Sequence, residues 1–187
     1  MNNKDNKIKT LDIVYIAMGA ALITICSWIS IPFTVPFTLQ TFGVFAVLVI
    51  MGGLRGLISI LVYILMGLVG VPVFSGFKAG PGVLFGNTGG YILGFVIIAL
   101  LYLIYEKAFA KHKNKIMEIA VLVLGLILCY VFGTLMFVML YSKNVGAVSI
   151  QKALKWCVIP FIVPDLIKLF LALTLGKRLA PLVRNRD

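Results

Sequence analysis

The sequence predicts an all-α integral membrane protein. It has six transmembrane helices, both termini in the cytoplasm, and Gly/Pro-rich outer loops folded over the bundle. Residues 1–187 form one transmembrane domain. Composition, apolar run length and the distribution of Lys and Arg carry this reading. Of the 187 residues 61% are apolar and 12% charged, against about 25% charged in soluble domains, and the mean hydropathy is +1.10. A water-soluble globule of this size leaves about 30% of its unfolded surface exposed, so it cannot hide that much apolar surface. The same composition excludes a disordered chain, and three cysteines exclude a disulfide scaffold.

Six apolar stretches follow one another at 11–31, 39–53, 56–74, 89–105, 116–141 and 154–176. At about 20 residues per span, they use most of the chain and leave only tails and short connections. The second is short and is separated from the third by Leu54 and Arg55, which predicts a tight helical hairpin. The first follows Lys4, Lys7 and Lys9 as a signal-peptide core would. It is too long for one, lacks a small-residue cleavage site and precedes further spans, so it reads as a retained helix.

With the N-terminus inside, twelve of the 17 Lys and Arg fall on the cytoplasmic side. Lys78, Lys143, Lys152 and Lys155 fall outside, and Lys168 is left within the sixth span. That bias obeys the positive-inside rule. The net charge of +11 is then a topology signal with attraction to anionic lipid. No interleaving of basic and aromatic residues marks a nucleic-acid groove. Small residues four apart, at Ala17–Ala21, Gly52–Gly56 and Gly90–Gly94, allow close helix approach in lipid. Such faces serve internal packing or, on the first helix, a partner.

The outer loops are apolar where solvated linkers are polar. The run Ser30–Gln40 carries two prolines and no charge, and Gly70–Gly90 is glycine-rich with two more prolines. Non-helical backbone at membrane depth is tolerated where it is buried or lines a cavity, so these loops are expected to cover one. Asn87 and Tyr91, four apart, share a face if the fourth helix starts near Thr88. Asn87 or Thr88 would cap that helix, with Tyr91 one turn deeper. Asp165 and Lys168 lie among apolar residues of the sixth span, where each charge costs about 2.5–3.5 kcal/mol. Pro164 suits a first helical position, which would put Asp165 in the first turn and Lys168 on the same face. Such a pair is expected to form a polar wall of an outward-facing pocket.

Cys26, Cys129 and Cys157 lack metal or redox spacing and read as small apolar fillers. His112 stands alone in a lysine-rich loop, so no metal site is expected. No paired carboxylates or nucleophilic triad are present, and no phosphate-binding G-x-x-x-x-G-K-[ST] loop. No catalytic residue, cofactor or ATP hydrolysis is therefore assigned to this chain.

Four segments together resemble the BioY family, the biotin-specific S components of energy-coupling factor (ECF) transporters. They are Val35–Gly43, Gly67–Gly76, Gly80–Tyr91 and Pro164–Lys168. The resemblance runs over nearly the whole chain. Its most specific part is the Gly-rich run into Thr88-Gly-Gly-Tyr91, although Asn87 stands where the family more often has Pro. It implies a six-helix bundle in a prokaryotic plasma membrane, binding biotin from outside under the first and third loops. A separate transmembrane scaffold subunit and two cytoplasmic ATPases would drive transport. Ala17 and Ala21 match the family's scaffold contact, and Asn87, Tyr91, Asp165 and Lys168 match its binding positions.

Biotin suits the residues present. Trp28, Phe33, Phe37, Phe74, Phe77 and Phe85 are available to line an apolar slot for its fused rings and aliphatic tail. Asp165 is the best acceptor for its ureido N–H groups. Lys168, Asn87, Tyr91, Gln40 and Lys78 compete to donate to its ureido oxygen and carboxylate. Other readings are an S component for a different vitamin, a self-sufficient carrier, and a small membrane enzyme. The enzyme would need further carboxylates facing one cavity, where the chain supplies only Asp165.

Overall fold

The structure is a computed structural model that describes residues 9–32, 35–109 and 114–184. Phe33, His112, Lys4, Lys7, Lys111, Lys113 and Arg186 lie outside the described residues. The main helices are α1 (Thr10–Trp28), α2 (Gln40–Met51), α3 (Gly53–Leu68), α5 (Gly89–Ala108), α6 (Lys115–Asn144) and α8 (Ile159–Arg184). A short α4 (Pro81–Leu84) lies in the glycine-rich loop and α7 (Ile150–Cys157) precedes α8. Two-residue strands β1 (Ser30–Ile31) and β2 (Phe37–Thr38) pair antiparallel, Ser30 opposite Thr38. The first loop is thus a small hairpin, which the all-α expectation lacks.

α2 is the hub. Its residues from Gly43 to Met51 are all buried, as expected of a helix that is apolar all round. It packs against α1, α3, α5 and α8, while α5 and α6 form a second close pair. On the outer faces, large apolar side chains such as Met18, Leu65, Ile104, Leu135 and Phe170 stand exposed. An exterior rich in exposed apolar side chains is suited to lipid. Among the described residues, four helical segments are long and apolar enough to cross a membrane: α1, α5, α6 and the α7–α8 run. α2 and α3 are apolar but shorter. At about 1.5 Å per residue neither alone covers the ~30 Å of a hydrocarbon core.

The expected hairpin between the second and third stretches turns at a single residue, Gly52, whose φ of 92° is open to glycine. The helix ends it leaves are satisfied by charge. Arg184 donates to the carbonyls of Leu48 (3.2 Å), Val49 (2.7 Å) and Ile50 (3.3 Å), closing α2. Glu106 accepts from the Gly53 N–H at the start of α3 and pairs with Arg184 at 2.5 Å. A cation at a helix C-terminus and an anion at the next N-terminus both oppose the local dipole. Arg184→Ala removes one donor from each of three carbonyls and takes the cation from Glu106. It is expected to cost about 2–3 kcal/mol, read as a lower unfolding midpoint in detergent.

The other small-residue pairs serve internal packing. A Cβ at Gly56 would stand 2.8 Å from Leu48, and Gly90 and Gly94 lie against Met136 and Cys129 of α6. The first helix differs. Ala20 is buried, but Ala17 and Ala21 lie on its exposed face.

Candidate functional site

Opposite the Arg184–Glu106 end, the bundle encloses a cavity of about 380 Å³, within the ~300–1,000 Å³ range of small-molecule sites. Its walls come from the first loop, the glycine-rich segment with α4, the first turns of α5, and the facing parts of α6, α7 and α8. The two apolar loops do cover a cavity.

The polar corner is built on α8. This helix begins at Ile159 with Pro160 second, so Pro164 falls inside it rather than opening it. Pro160 takes the first-turn position where a missing N–H is harmless. Asp165 is therefore not in the first turn, and side chains hold it where the helix terminus was expected to. Lys168 Nζ reaches Asp165 Oδ1 at 2.7 Å, the Thr38 carbonyl at 2.6 Å and Thr41 Oγ1 at 3.2 Å. The ammonium also sits 4.5 Å from the centre of the Phe37 ring. Thr41 donates to Asp165 Oδ1 at 2.8 Å and Tyr130 to Oδ2 at 2.6 Å. Asp165 and Lys168 are only 2% and 5% exposed.

Counting donors and acceptors shows what this corner can still bind. An ammonium has three N–H groups, and all three of Lys168's are committed to protein oxygens. A carboxylate accepts about four bonds, and Asp165 accepts three. One acceptor position on Oδ2 remains, on a side chain that lines the cavity. The corner thus holds a neutralised carboxylate whose hydrogen-bond count leaves one acceptor position open.

Gln40, Lys78, Asn87 and Tyr91 also line the cavity, so six of the eight expected binding residues converge there. Gln40 donates to Tyr63 at 2.7 Å, and Tyr91 shares a 3.0 Å hydrogen bond with Thr134. Thr88 occupies the cap position of α5 without a side-chain cap bond. The Asn87 amide has no hydrogen bond among the described residues and is available to a ligand. Lys78 is exposed at the mouth.

Trp28 and Phe85 are not among the lining residues. Trp28 is 38% exposed and its indole N–H donates to the Pro72 carbonyl at 2.9 Å, tying α1 to the glycine-rich segment. Phe85 is 66% exposed. Phe77 packs at a tilt against Trp28 outside the cavity, whereas Phe74 lines it and Phe37 lies beneath Lys168.

Sequence reasoning missed Thr41 and Tyr130, which hold the carboxylate, and Phe95 and Phe161, which supply apolar wall. Cys129 and Cys157, read as fillers, are wall residues as well. Tyr130 carried a signal, because a tyrosine deep in an apolar span needs a partner for its hydroxyl. Tyr130→Phe removes a bond to a charged acceptor, worth about 1.5–3 kcal/mol, and frees Asp165 Oδ2 to rotate. Ligand affinity is expected to fall about tenfold with the fold retained, as read by equilibrium binding. No group of three or more His, Cys, Asp or Glu fit to hold a metal occurs among the described residues.

Comparison with known proteins agrees with this architecture. A biotin transporter BioY of Thermotoga maritima is 40% identical over 167 residues, 89% of this chain and 94% of its own length. Biotin transporter BioY2 of Lactococcus lactis subsp. cremoris is 34% identical over 90% of this chain and 89% of its own. The crystal structure of the S component for biotin from an ECF-type ABC transporter superposes with a TM-score of 0.79 at 25% identity. That match covers 96% of this chain and 94% of the other. With its fold matched in that structure and residues 1–185 matching the family's sequence model, the chain belongs to the BioY family.

Proposed function

We propose that this chain captures biotin in the cavity and delivers it across the membrane as the S component of an ECF-type transporter. The single observation that carries the site assignment is the free acceptor position on Asp165, set in a cavity with both polar and apolar walls. A ureido group presents N–H donors on a compact ring. One of them completes the carboxylate's set, while Lys168 holds the charge neutral. The Asn87 amide is placed to donate to the ureido oxygen. The rings lie along Phe74, Phe95 and Phe161, and the aliphatic tail runs outward so that its carboxylate meets Lys78 at the mouth. Tyr91 and Gln40 shape the walls between these points.

The chain is read as one unit of six spans in a prokaryotic plasma membrane, with both ends cytoplasmic and the cavity outside. The lysine and arginine bias supports that orientation. Two short helices are acceptable as spans because α2 is shielded by protein and the loops complete its ends. Energy comes from a transmembrane scaffold subunit and two ATPases, since this chain carries no phosphate-binding loop. The scaffold docks on the exposed Ala17–Ala21 face. Reconstitution in liposomes tests the arrangement. With the scaffold and ATPases present, ATP-dependent uptake of labelled biotin is expected; this chain alone should bind but not accumulate it. Concentrative uptake by the chain alone would overturn the proposal.

A further inference from the structure

Among the described residues, the uncancelled charge at the cavity end is positive. Lys78 lines the cavity, and Lys143 at the end of α6 and Lys152 and Lys155 on α7, a helix that lends Cys157 to the cavity wall, are exposed. Among the described residues, every carboxylate except Asp165 belongs to the opposite end. There Asp12 pairs with Arg55, Glu106 pairs with Arg184, and Glu118 accepts from Tyr102. Asp165 is cancelled by Lys168. No negative side chain among the described residues offsets the three lysines.

Their placement is set by α7. Ser149 caps this helix, accepting from the Lys152 N–H at 3.3 Å. Its buried face carries Ala153 and Cys157, and Cys157 is part of the cavity wall. The opposite face carries Lys152 and Lys155. At about 1.5 Å per residue, these stand roughly 7.5 and 3 Å along the helix axis from Cys157, on the face turned away from it. Lys152 lies over the Trp156 ring at 4.7 Å, which holds the ammonium in place without neutralising it. Trp156 in turn packs on Tyr141 of α6, two residues from Lys143.

We propose that Lys143, Lys152 and Lys155 form a positive collar that draws the ligand to the cavity mouth by its ionised carboxylate. The collar sets the association rate and leaves the lifetime of the complex unchanged. A cleft rimmed by one sign of charge over low-dielectric walls raises the local concentration of counter-charged ligand, and rim charges act on association more than on dissociation. The proposal rests on the biotin reading, because it takes the carboxylate-bearing tail as the last part to enter.

The test uses the purified chain in nanodiscs of phosphatidylcholine alone, with rapid-filtration kinetics of labelled biotin and its uncharged methyl ester. The exposed lysines are replaced together in K143Q/K152Q/K155Q, leaving the cavity intact. Biotin association is expected to slow about three- to tenfold with dissociation unchanged. The difference should vanish near 1 M salt, where the Debye length is about 3 Å. Association of the ester should be the same in both proteins. Equal rates for biotin, equal slowing of the ester, or an effect seen only in discs containing anionic lipid would each overturn the collar. Wild-type protein that binds biotin at the variant's rate overturns the collar alone. Wild-type protein that binds no biotin overturns the biotin reading with it.

Discussion

Lys168→Ala is expected to abolish biotin capture and weaken the fold together. The ammonium is the counter-charge of Asp165, the donor to the Thr38 carbonyl of the first loop, and a partner of Thr41. Removing it leaves a carboxylate buried at 2% exposure with two hydroxyl donors and no cation. Breaking one side of a buried pair costs about 3–5 kcal/mol of stability, and without the ammonium the carboxylate and the Thr38 carbonyl lose the tie that sets the geometry of the site. If the carboxylate protonates, it loses the acceptor position that the ureido group needs. Loss of fold and loss of site are separated by Asp165→Asn combined with Lys168→Met, which removes both charges. Thermal stability should return towards wild type, because a neutral pair carries no uncompensated charge. Biotin binding should stay lost. A double variant that bound biotin normally would show that the corner is structural.

Ala17→Leu with Ala21→Leu is expected to leave biotin binding intact and stop transport. Both alanines are exposed, whereas Ala20, Gly19 and Ile23 form the packed face of α1. Enlarging outward side chains therefore disturbs no internal contact. In lipid, apolar bulk gains nothing between helices, and association depends on how closely backbones approach. Two leucines would hold a partner helix away from α1. Biotin uptake with the full transporter should drop about tenfold or more, about 1.4 kcal/mol of lost docking. Biotin affinity of the isolated chain should not change. Uptake that survives would move the scaffold contact to another face.

The sequence carried the strongest parts of the site because they violate their surroundings. Asp165 and Lys168 are charges in an apolar run, and the two loops are apolar where loops are ordinarily polar. Those anomalies are visible one segment at a time. Thr41 and Tyr130 look ordinary in their own helices and acquire a role only where α2 and α6 meet α8. That meeting is a long-range consequence of packing. The start of α8 was misjudged because two prolines, Pro160 and Pro164, each fit a first turn, and local rules do not choose between them. The β1–β2 hairpin escaped because two residues per strand show no period-two pattern. Trp28 and Phe85 illustrate the converse error. An aromatic beside a loop suits a pocket wall or an outer surface equally well, and here Trp28 ties loop to helix while Phe85 stays exposed.

Calorimetric titration of biotin into the wild-type chain in lipid nanodiscs tests the central claim most directly. The cavity and its one open acceptor predict saturable binding of one biotin per chain, with heat lost in Lys168→Ala. A folded wild-type sample that gives no heat and retains no labelled biotin would contradict the assignment of this cavity to biotin.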